Sequence, residues 1–275
     1  MTPTIQSTFT TAWPYPSWIA HRGAGQIAPE NTLAAIQTGA RYGFCMFEFD
    51  VQITADRIPV LLHDATLERT TSGQGLLAAT PLAALRGLDA GRWHSSAFVG
   101  ESVPTLAAVA QWLIAQGLLA NIEIKPAPGL EAETGRVVAQ EAALYWANAL
   151  PLPLLSSFSP LALAAARATA PHLPRALLAD LKRWSLTPDE LATGTDPFEA
   201  ILQTAQEQTA LAVVLHHAGV DGARIARAHA CGLRVLTYTL DDPERAQALL
   251  ALGLDGVITD AVDRMGPACT AGVLV

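Results

Sequence analysis

Two short stretches of the chain place residues of reactive type at spacings that would bring them together. In Met46-Phe47-Glu48-Phe49-Asp50-Val51, a period of two puts Phe47, Phe49 and Val51 on one strand face and Glu48 and Asp50 on the other. Asn121-Ile122-Glu123-Ile124-Lys125 repeats the pattern, with Glu123 and Lys125 opposite two isoleucines. Carboxylates on a buried strand face repel each other and lose hydration, a cost that a cation or hydrogen-bond donors must offset. On adjacent strands, Glu48, Asp50 and Glu123 would form an all-oxygen set that selects a hard divalent cation, Mg²⁺ or Ca²⁺. The same residues have an alternative use, a structural ion pair of Lys125 with Glu48 or Asp50.

Histidines follow two strand-like runs, in His21-Arg22-Gly23 and in His63-Asp64. Imidazole titrates near neutrality, so His21 and His63 on either side of a phosphorus would serve as general base and general acid. A histidine taken alone is more often structural; it is the position of both at strand ends, beside the carboxylate strand, that argues for catalysis. The planar fork of Arg22 suits a phosphate oxygen. Asp64 either orients His63 or ends the strand. Pro29-Glu30-Asn31-Thr32 reads as a helix start, with Asn31 or Thr32 as the cap and Glu30 behind the site. Phe158, after Ser156-Ser157, and Tyr238 would wall a pocket for a small alcohol. His216, His217 and Asp241 also end strand-like runs and carry no assignable role. The chain has no GxGxxG or GxxxxGK[ST] phosphate loop and no GxSxG nucleophile turn.

The elements that must position these residues alternate along the chain. Strand-like runs are Ser17–Ala20, Met46–Ile53, Ala120–Lys125, Leu152–Ser156, Arg175–Leu178, Leu211–Leu215, Leu233–Thr239 and Gly256–Thr259. Amphipathic stretches between them include Thr32–Tyr42, Thr105–Gln116, Leu130–Ala147, Asp221–Ala230 and Pro243–Leu252. Repeated strand-then-helix units imply parallel strands with right-handed crossovers, and eight of them predict an α/β fold, a (β/α)8 TIM barrel. An open doubly wound sheet is the competing arrangement. One stretch, about 54–103, breaks the alternation: a run at Ile58–Leu62 precedes a Gly-, Ser- and Trp-containing region without a long helix. It reads as an insertion after the second strand, folded over one mouth of a single domain spanning 1–275.

Composition narrows the function classes. Of 275 residues, 51% are hydrophobic and 15% charged, too apolar for a disordered chain. The net charge of −8 argues against a nucleic-acid partner. Cys45, Cys231 and Cys269 are an odd number without metal-ligand spacing, which suits a reducing, cytoplasmic setting. The start lacks Lys or Arg ahead of an apolar stretch, unlike a secretory signal. The longest uncharged stretch, Ala142–Ala166, is interrupted by Pro151, Pro153 and Pro160, so no stable membrane association is expected. Nothing in the sequence fixes an oligomeric state.

Taken together, these strings resemble the glycerophosphodiester phosphodiesterase family, whose members are TIM-barrel, metal-dependent hydrolases. The resemblance runs in family order through His21-Arg22-Gly23, Pro29-Glu30-Asn31-Thr32, Glu48-Phe49-Asp50, His63-Asp64 with Leu67-Glu68-Arg69-Thr70, Asn121-Ile122-Glu123-Ile124-Lys125, Ser156-Ser157-Phe158, and Gly253-Leu254-Asp255-Gly256 with Thr259-Asp260. Trp13-Pro14-Tyr15-Pro16, Asp89-Ala90-Gly91-Arg92-Trp93 and Gly266-Pro267 further resemble its cytoplasmic bacterial branch. The resemblance implies a phosphoric diester hydrolase of lipid and glycerol metabolism. Its small-molecule glycerophosphodiester substrate would yield sn-glycerol 3-phosphate and an alcohol. His21 and His63 would be the acid–base pair, Glu48, Asp50 and Glu123 the ligands of Mg²⁺ or Ca²⁺, and Arg22 and Lys125 would lie near the phosphate. Tyr238 and Asp241 stand where many members carry Trp and Asn. Two other readings use the same residues: phospholipase D-like cleavage of lysophospholipids, and a non-catalytic sugar-phosphate-binding protein.

Overall fold

The computed structural model describes residues 13–186 and 188–267. Among them lie strands β1 (Trp18–Ala20), β2 (Met46–Ile53), β3 (Pro59–Leu61), β4 (Leu119–Ile124), β5 (Leu154–Ser157), β6 (Arg175–Ala179), β7 (Ala212–His216), β8 (Arg234–Tyr238) and β9 (Gly256–Thr259). All but β3 are parallel, in the order β1-β2-β4-β5-β6-β7-β8-β9, and β9 returns to β1. The sheet therefore closes into a (β/α)8 barrel, and the open-sheet alternative falls away. The helices are α1 (Leu33–Arg41), α2 (Leu82–Leu85), α3 (Leu106–Gln116), α4 (Glu131–Tyr145), α5 (Pro160–Thr169), α6 (Pro188–Thr193), α7 (Pro197–Glu207), α8 (Gly222–Ala230) and α9 (Pro243–Ala251). Side chains of Thr32, Thr105, Ser159, Asp221 and Asp242 accept backbone N–H groups at helix starts, which sets where the chain leaves each strand-end loop.

Strand alternation divides the apolar residues into two layers. Phe47, Phe49, Val51, Ile122 and Ile124 pack outward with the helices, whereas Ile19, Met46, Leu154, Leu178, Val214, Leu236 and Ile258 fill the barrel. Tyr15 joins the inner layer at the N-terminal end, where its hydroxyl donates to the Leu152 carbonyl at 2.8 Å. Strand β5 begins at Leu154 rather than the expected Leu152, because Pro151 and Pro153 have no N–H to give a ladder. The uncharged stretch 142–166 divides into the end of α4, β5 and the start of α5. Among the described residues no helix is long and apolar enough to cross a membrane. Cys45 is exposed and Cys231 partly buried, both as free thiols; Cys269 lies outside the described residues.

The segment after β2 has more order than its composition suggests. Strand β1 pairs with β2 only at Ala20↔Phe47. Farther along the same edge β3 takes over, antiparallel, with Val51↔Leu61, Gln52↔Val60 and Ile53↔Pro59. Val60, Leu62, Leu67, Leu77, Leu85, Ala90 and Val103 then form an apolar cluster separate from the two barrel layers.

Helices α4 and α5 meet at Gly135, where an added Cβ would lie 2.2 Å from the Ala162 carbonyl oxygen. Gly135→Ala is expected to lower stability by about 1–3 kcal/mol through overpacking, read from the midpoint of denaturant unfolding. An unchanged midpoint would show that the two helices part without cost.

Candidate active site

The C-terminal ends of the parallel strands surround a cleft of about 760 Å³, lined by His21, Arg22, His63, Glu123, Lys125, Phe158 and Tyr238 among others. Parallel pairing of β2 with β4 sets Asp50 opposite Glu123 and Glu48 opposite Asn121. One oxygen from each of Glu48, Asp50 and Glu123 lies within 4.8 Å of the others, and all three residues are buried. Donors converge on this cluster. The Lys125 ammonium donates to Asp50 Oδ1 at 3.0 Å and lies 3.5 Å from Glu123. The Asn31 amide donates to Asp50 Oδ2 at 2.8 Å, and its carbonyl oxygen accepts the Asp50 N–H at 3.0 Å. The Arg22 backbone N–H donates to Glu48 Oε2 at 3.0 Å, while its guanidinium is 3.5 Å from Asp50.

Even so, the cluster is short of positive charge. Burial works against the Asp50 anion, but Lys125 and Arg22 outweigh it and hold its carboxyl well below the usual range. Burial pushes Glu48 up to about 7, against the opposing pull of His21 and with the Asp50 charge adding. Burial and then Asp50 push Glu123 up to about 8. Glu48 Oε1 is buried without a hydrogen-bond partner. An oxygen-only donor set with an orphaned buried oxygen fits a hard divalent cation. The Lys125–Asp50 ion pair weighed from the sequence is also present, within the same cluster.

Each histidine is held by a carboxylate at Nδ1, leaving Nε2 free of that bond. His21 Nδ1 is 2.6 Å from Asp260 Oδ1, and His63 Nδ1 is 2.7 Å from Asp64 Oδ1. Burial disfavours the His21 cation, yet Asp260 and Glu48 raise its pKa above the ordinary value. Burial lowers that of His63, against the attraction of Asp50. Arg69 donates to both Asp64 and Glu30, and Glu30 accepts from Arg22 at 2.8 Å. Asp64 therefore orients His63 and is itself held down to about 2, chiefly by Arg69.

A sequence model of the glycerophosphoryl diester phosphodiesterase family matches residues 21–264. The chain belongs to that family. Among solved structures it is similar to an Oleispira antarctica phosphodiesterase in complex with the product sn-glycerol-3-phosphate. That likeness has a TM-score of 0.79 and 32% identity, and it covers 90% of this chain and 94% of that one. A glycerophosphodiester phosphodiesterase of Caldanaerobacter subterraneus is 29% identical over 249 residues, covering 88% of this chain and 93% of that protein. One from Bacillus subtilis is 30% identical over 266 residues, covering 89% and 83%. As a member of the glycerophosphoryl diester phosphodiesterase family, the chain is a phosphoric diester hydrolase, with an acidic triad able to hold a metal ion.

Several residues that shape this candidate site have no role assigned to them, or only a helix-start role, in the sequence reading. Asn31 is more than a helix start: Thr32 caps α1, while Asn31, at φ +58°, turns its side chain onto Asp50. The Gln52 amide donates to the carbonyls of Leu62 (2.8 Å) and Asp64 (2.7 Å), fixing the segment that carries His63. Its period-two register with Glu48 and Asp50 was the available signal. Asp260 holds His21, and Asp241 in turn accepts from the Asp260 N–H (2.8 Å) and the Thr259 hydroxyl (3.0 Å). Gly25, at φ +57°, lets the His21 loop pass so close to Asp260 that a Cβ would lie 2.1 Å from its carbonyl oxygen. His216 lines the cleft edge-on to Tyr238, and His217 pairs with His216 at 4.7 Å between ring centroids.

The raised carboxyls make the stability of the cation-free protein depend on pH. The unfolded chain releases these two protons near the ordinary value of 4.5, whereas the folded chain keeps them to about 7 and 8. Stability in chelator is therefore expected to fall as pH rises from about 4.5 towards 8. The raised pKa of His21 adds to the fall above 6.5, and the lowered pKa of His63 opposes it below 6.5. Mg²⁺ or Ca²⁺ should stabilise more at pH 8 than at pH 5. Unfolding midpoints at pH 5, 6.5 and 8, with and without cation, check this; a flat profile would contradict it.

Proposed function

We propose that the chain hydrolyses glycerophosphodiesters to sn-glycerol 3-phosphate and a free alcohol with the help of Mg²⁺ or Ca²⁺ at Glu48, Asp50 and Glu123. The observation that carries this reading is the meeting of three buried carboxylates, two carboxylate-held histidines and two cations around one cleft. Family membership and the relative solved with sn-glycerol-3-phosphate support it. A cation on the triad would neutralise a nonbridging phosphate oxygen and relieve the repulsion among the carboxylates.

The chain's own residues supply the remaining chemistry. Arg22 and Lys125, now shared with Asp50, offer charge-assisted donors to the phosphate. His21 and His63 come from the ends of β1 and β3, so their Nε2 atoms can serve opposite sides of an in-line displacement. One takes the proton of the nucleophile; the other protonates the leaving alkoxide. The glycerol hydroxyl next to the phosphate is already held at high effective concentration, which favours its attack on phosphorus over direct attack by water; the alcohol leaves with a proton, and water then opens the cyclic phosphate to sn-glycerol 3-phosphate. Phe158 and Tyr238 wall the organic part of the substrate. In this reading a single domain of 1–275 acts in the cytoplasm.

Product analysis with glycerophosphocholine and glycerophosphoethanolamine should give sn-glycerol 3-phosphate, and chelator should abolish its release. Release of phosphocholine, or full activity in chelator, would overturn the reading. His21→Ala and His63→Ala should each lose about 10²–10⁴-fold in kcat while binding cation normally by calorimetry. Normal turnover by His63→Ala would leave that residue a structural strand-end histidine. A substrate lacking the neighbouring hydroxyl should lose turnover rather than binding if the cyclic route operates.

A further inference from the structure

The insertion touches the site at a second place besides His63. Residues 89–101 form a loop tied by one carboxylate: Asp89 Oδ1 accepts the N–H groups of Gly91 (2.9 Å) and Arg92 (2.8 Å), and Oδ2 accepts that of Gly100 (3.0 Å). The loop closes so tightly that a Cβ on Gly91 would lie 1.9 Å from the Phe98 carbonyl oxygen. Phe98 packs against the outer layer of the barrel, and His94 meets the rings of Phe98 and Trp93 edge to face, at 5.4 and 5.6 Å between centroids. We infer that His94 is a positioning residue for His21, acting across Gln26 and Asp260, so that the insertion sets both histidines of the site. The inference rests on the acid–base reading of His21 and His63 above.

Hydrogen bonds supply the first argument. His94 Nε2 lies 2.9 Å from the Gln26 carbonyl oxygen, which can only accept, so the ring proton sits on Nε2. Its Nδ1 is buried without a hydrogen-bond partner, which leaves Gln26 as the ring's one such tie among the described residues. Gln26 ends the turn that begins at His21, a turn closed by the Gly25 N–H donating to the His21 carbonyl at 2.8 Å. The Gln26 side chain hydrogen-bonds Asp260, whose Oδ1 holds His21 Nδ1 at 2.6 Å.

The demands of the reaction supply the second. Gln26 is exposed, and an exposed side chain on a short turn samples several staggered rotamers unless its backbone is held. His94 holds that backbone, which keeps the Gln26 amide within reach of Asp260. An in-line displacement needs its base and acid at a fixed separation across phosphorus, and a misplacement of about 1 Å costs up to about 10²-fold in rate. His63 follows β3, inside the insertion, and the His21 turn is fastened to the same insertion at His94. One body then sets the separation of the pair.

The test separates the donor of His94 from its bulk. His94→Phe keeps a ring against Trp93 and Phe98 but removes the N–H, whereas His94→Gln returns an N–H near the place of Nε2. With glycerophosphocholine, kcat is expected to fall about 2–30-fold in His94→Phe and to recover in His94→Gln, with cation affinity by calorimetry unchanged in both. Gln26→Ala should lose a similar amount, and the double variant no more than the larger single loss, because both act through Asp260. A readout independent of turnover is the nitrogen NMR resonance of His21 Nδ1, which reports its bond to Asp260. It should shift in His94→Phe and in Gln26→Ala and return in His94→Gln; a His94 that only pins the loop would leave it in place. An unmoved resonance in His94→Phe, or losses that add across the pair, would overturn the positioning role. Should His94→Phe not fold, Gln26→Ala, which leaves the insertion intact, decides by the same resonance. Failure of the wild type to cleave the diester would overturn the phosphodiester reading instead, and the resonance would still decide the role of His94.

Discussion

Like charge crowded into a buried space organises this molecule. Glu48, Asp50 and Glu123 sit side by side because β2 and β4 are parallel, in register, and polar on the same face. Ionising all three in the barrel mouth without compensation would cost more than a domain's marginal stability allows. The surroundings answer that demand with Lys125, the Arg22 guanidinium and backbone, and the Asn31 amide, all directed at the cluster. Two of these residues hold positive φ, Arg22 at +49° and Asn31 at +58°. Non-glycine residues adopt such angles where surrounding contacts over-determine them, and here the contacts are the carboxylates.

The histidines depend on the same cluster at one remove. His63 is tied through Asp64, Arg69 and Glu30 to Arg22, so the polar groups beneath β1 and β3 form one chain. His21 is tied through Asp260 to Asp241, on the side of β1 that β9 and β8 occupy. Each imidazole thus has a fixed ring orientation set by a partner that does not face the cleft. In the proposed mechanism one set of residues would touch the reacting atoms while another fixes their angles, which accounts for so many charged residues at a single barrel mouth.

Much of this was legible in the chain because strands and carboxylates leave short-range signals. Period-two alternation around Glu48 and Asp50, and around Glu123, gave the shared face and the donor chemistry together, while the register between the two strands came from the structure. Strand-then-helix spacing gave the barrel. What stayed hidden was long-range or hung on a backbone angle. Asp260 meets His21 across 239 positions, through closure of the barrel between β9 and β1. Asn31 reads as a helix start because its reach to Asp50 depends on a left-handed backbone that no pattern announces. Within 54–103 the run at Ile58–Leu62 was legible and forms β3, but the packing of the rest was not, because its apolar residues are spaced irregularly and pack among themselves rather than along one helix or strand face.

That separate packing gives His63 an unusual mounting. His21 follows β1, which is paired to β9 on one side and to β2 on the other within the closed barrel. His63 follows β3, which hangs on the extended end of β2 and rests on the small cluster around Val60, Leu67 and Leu77. Segments with few buried neighbours open at lower free energy than the core that carries them. The two histidines of the proposed acid–base pair therefore belong to units of different local stability, so that heat or denaturant would disarm the proposed site by loosening the smaller unit while the barrel keeps its shape.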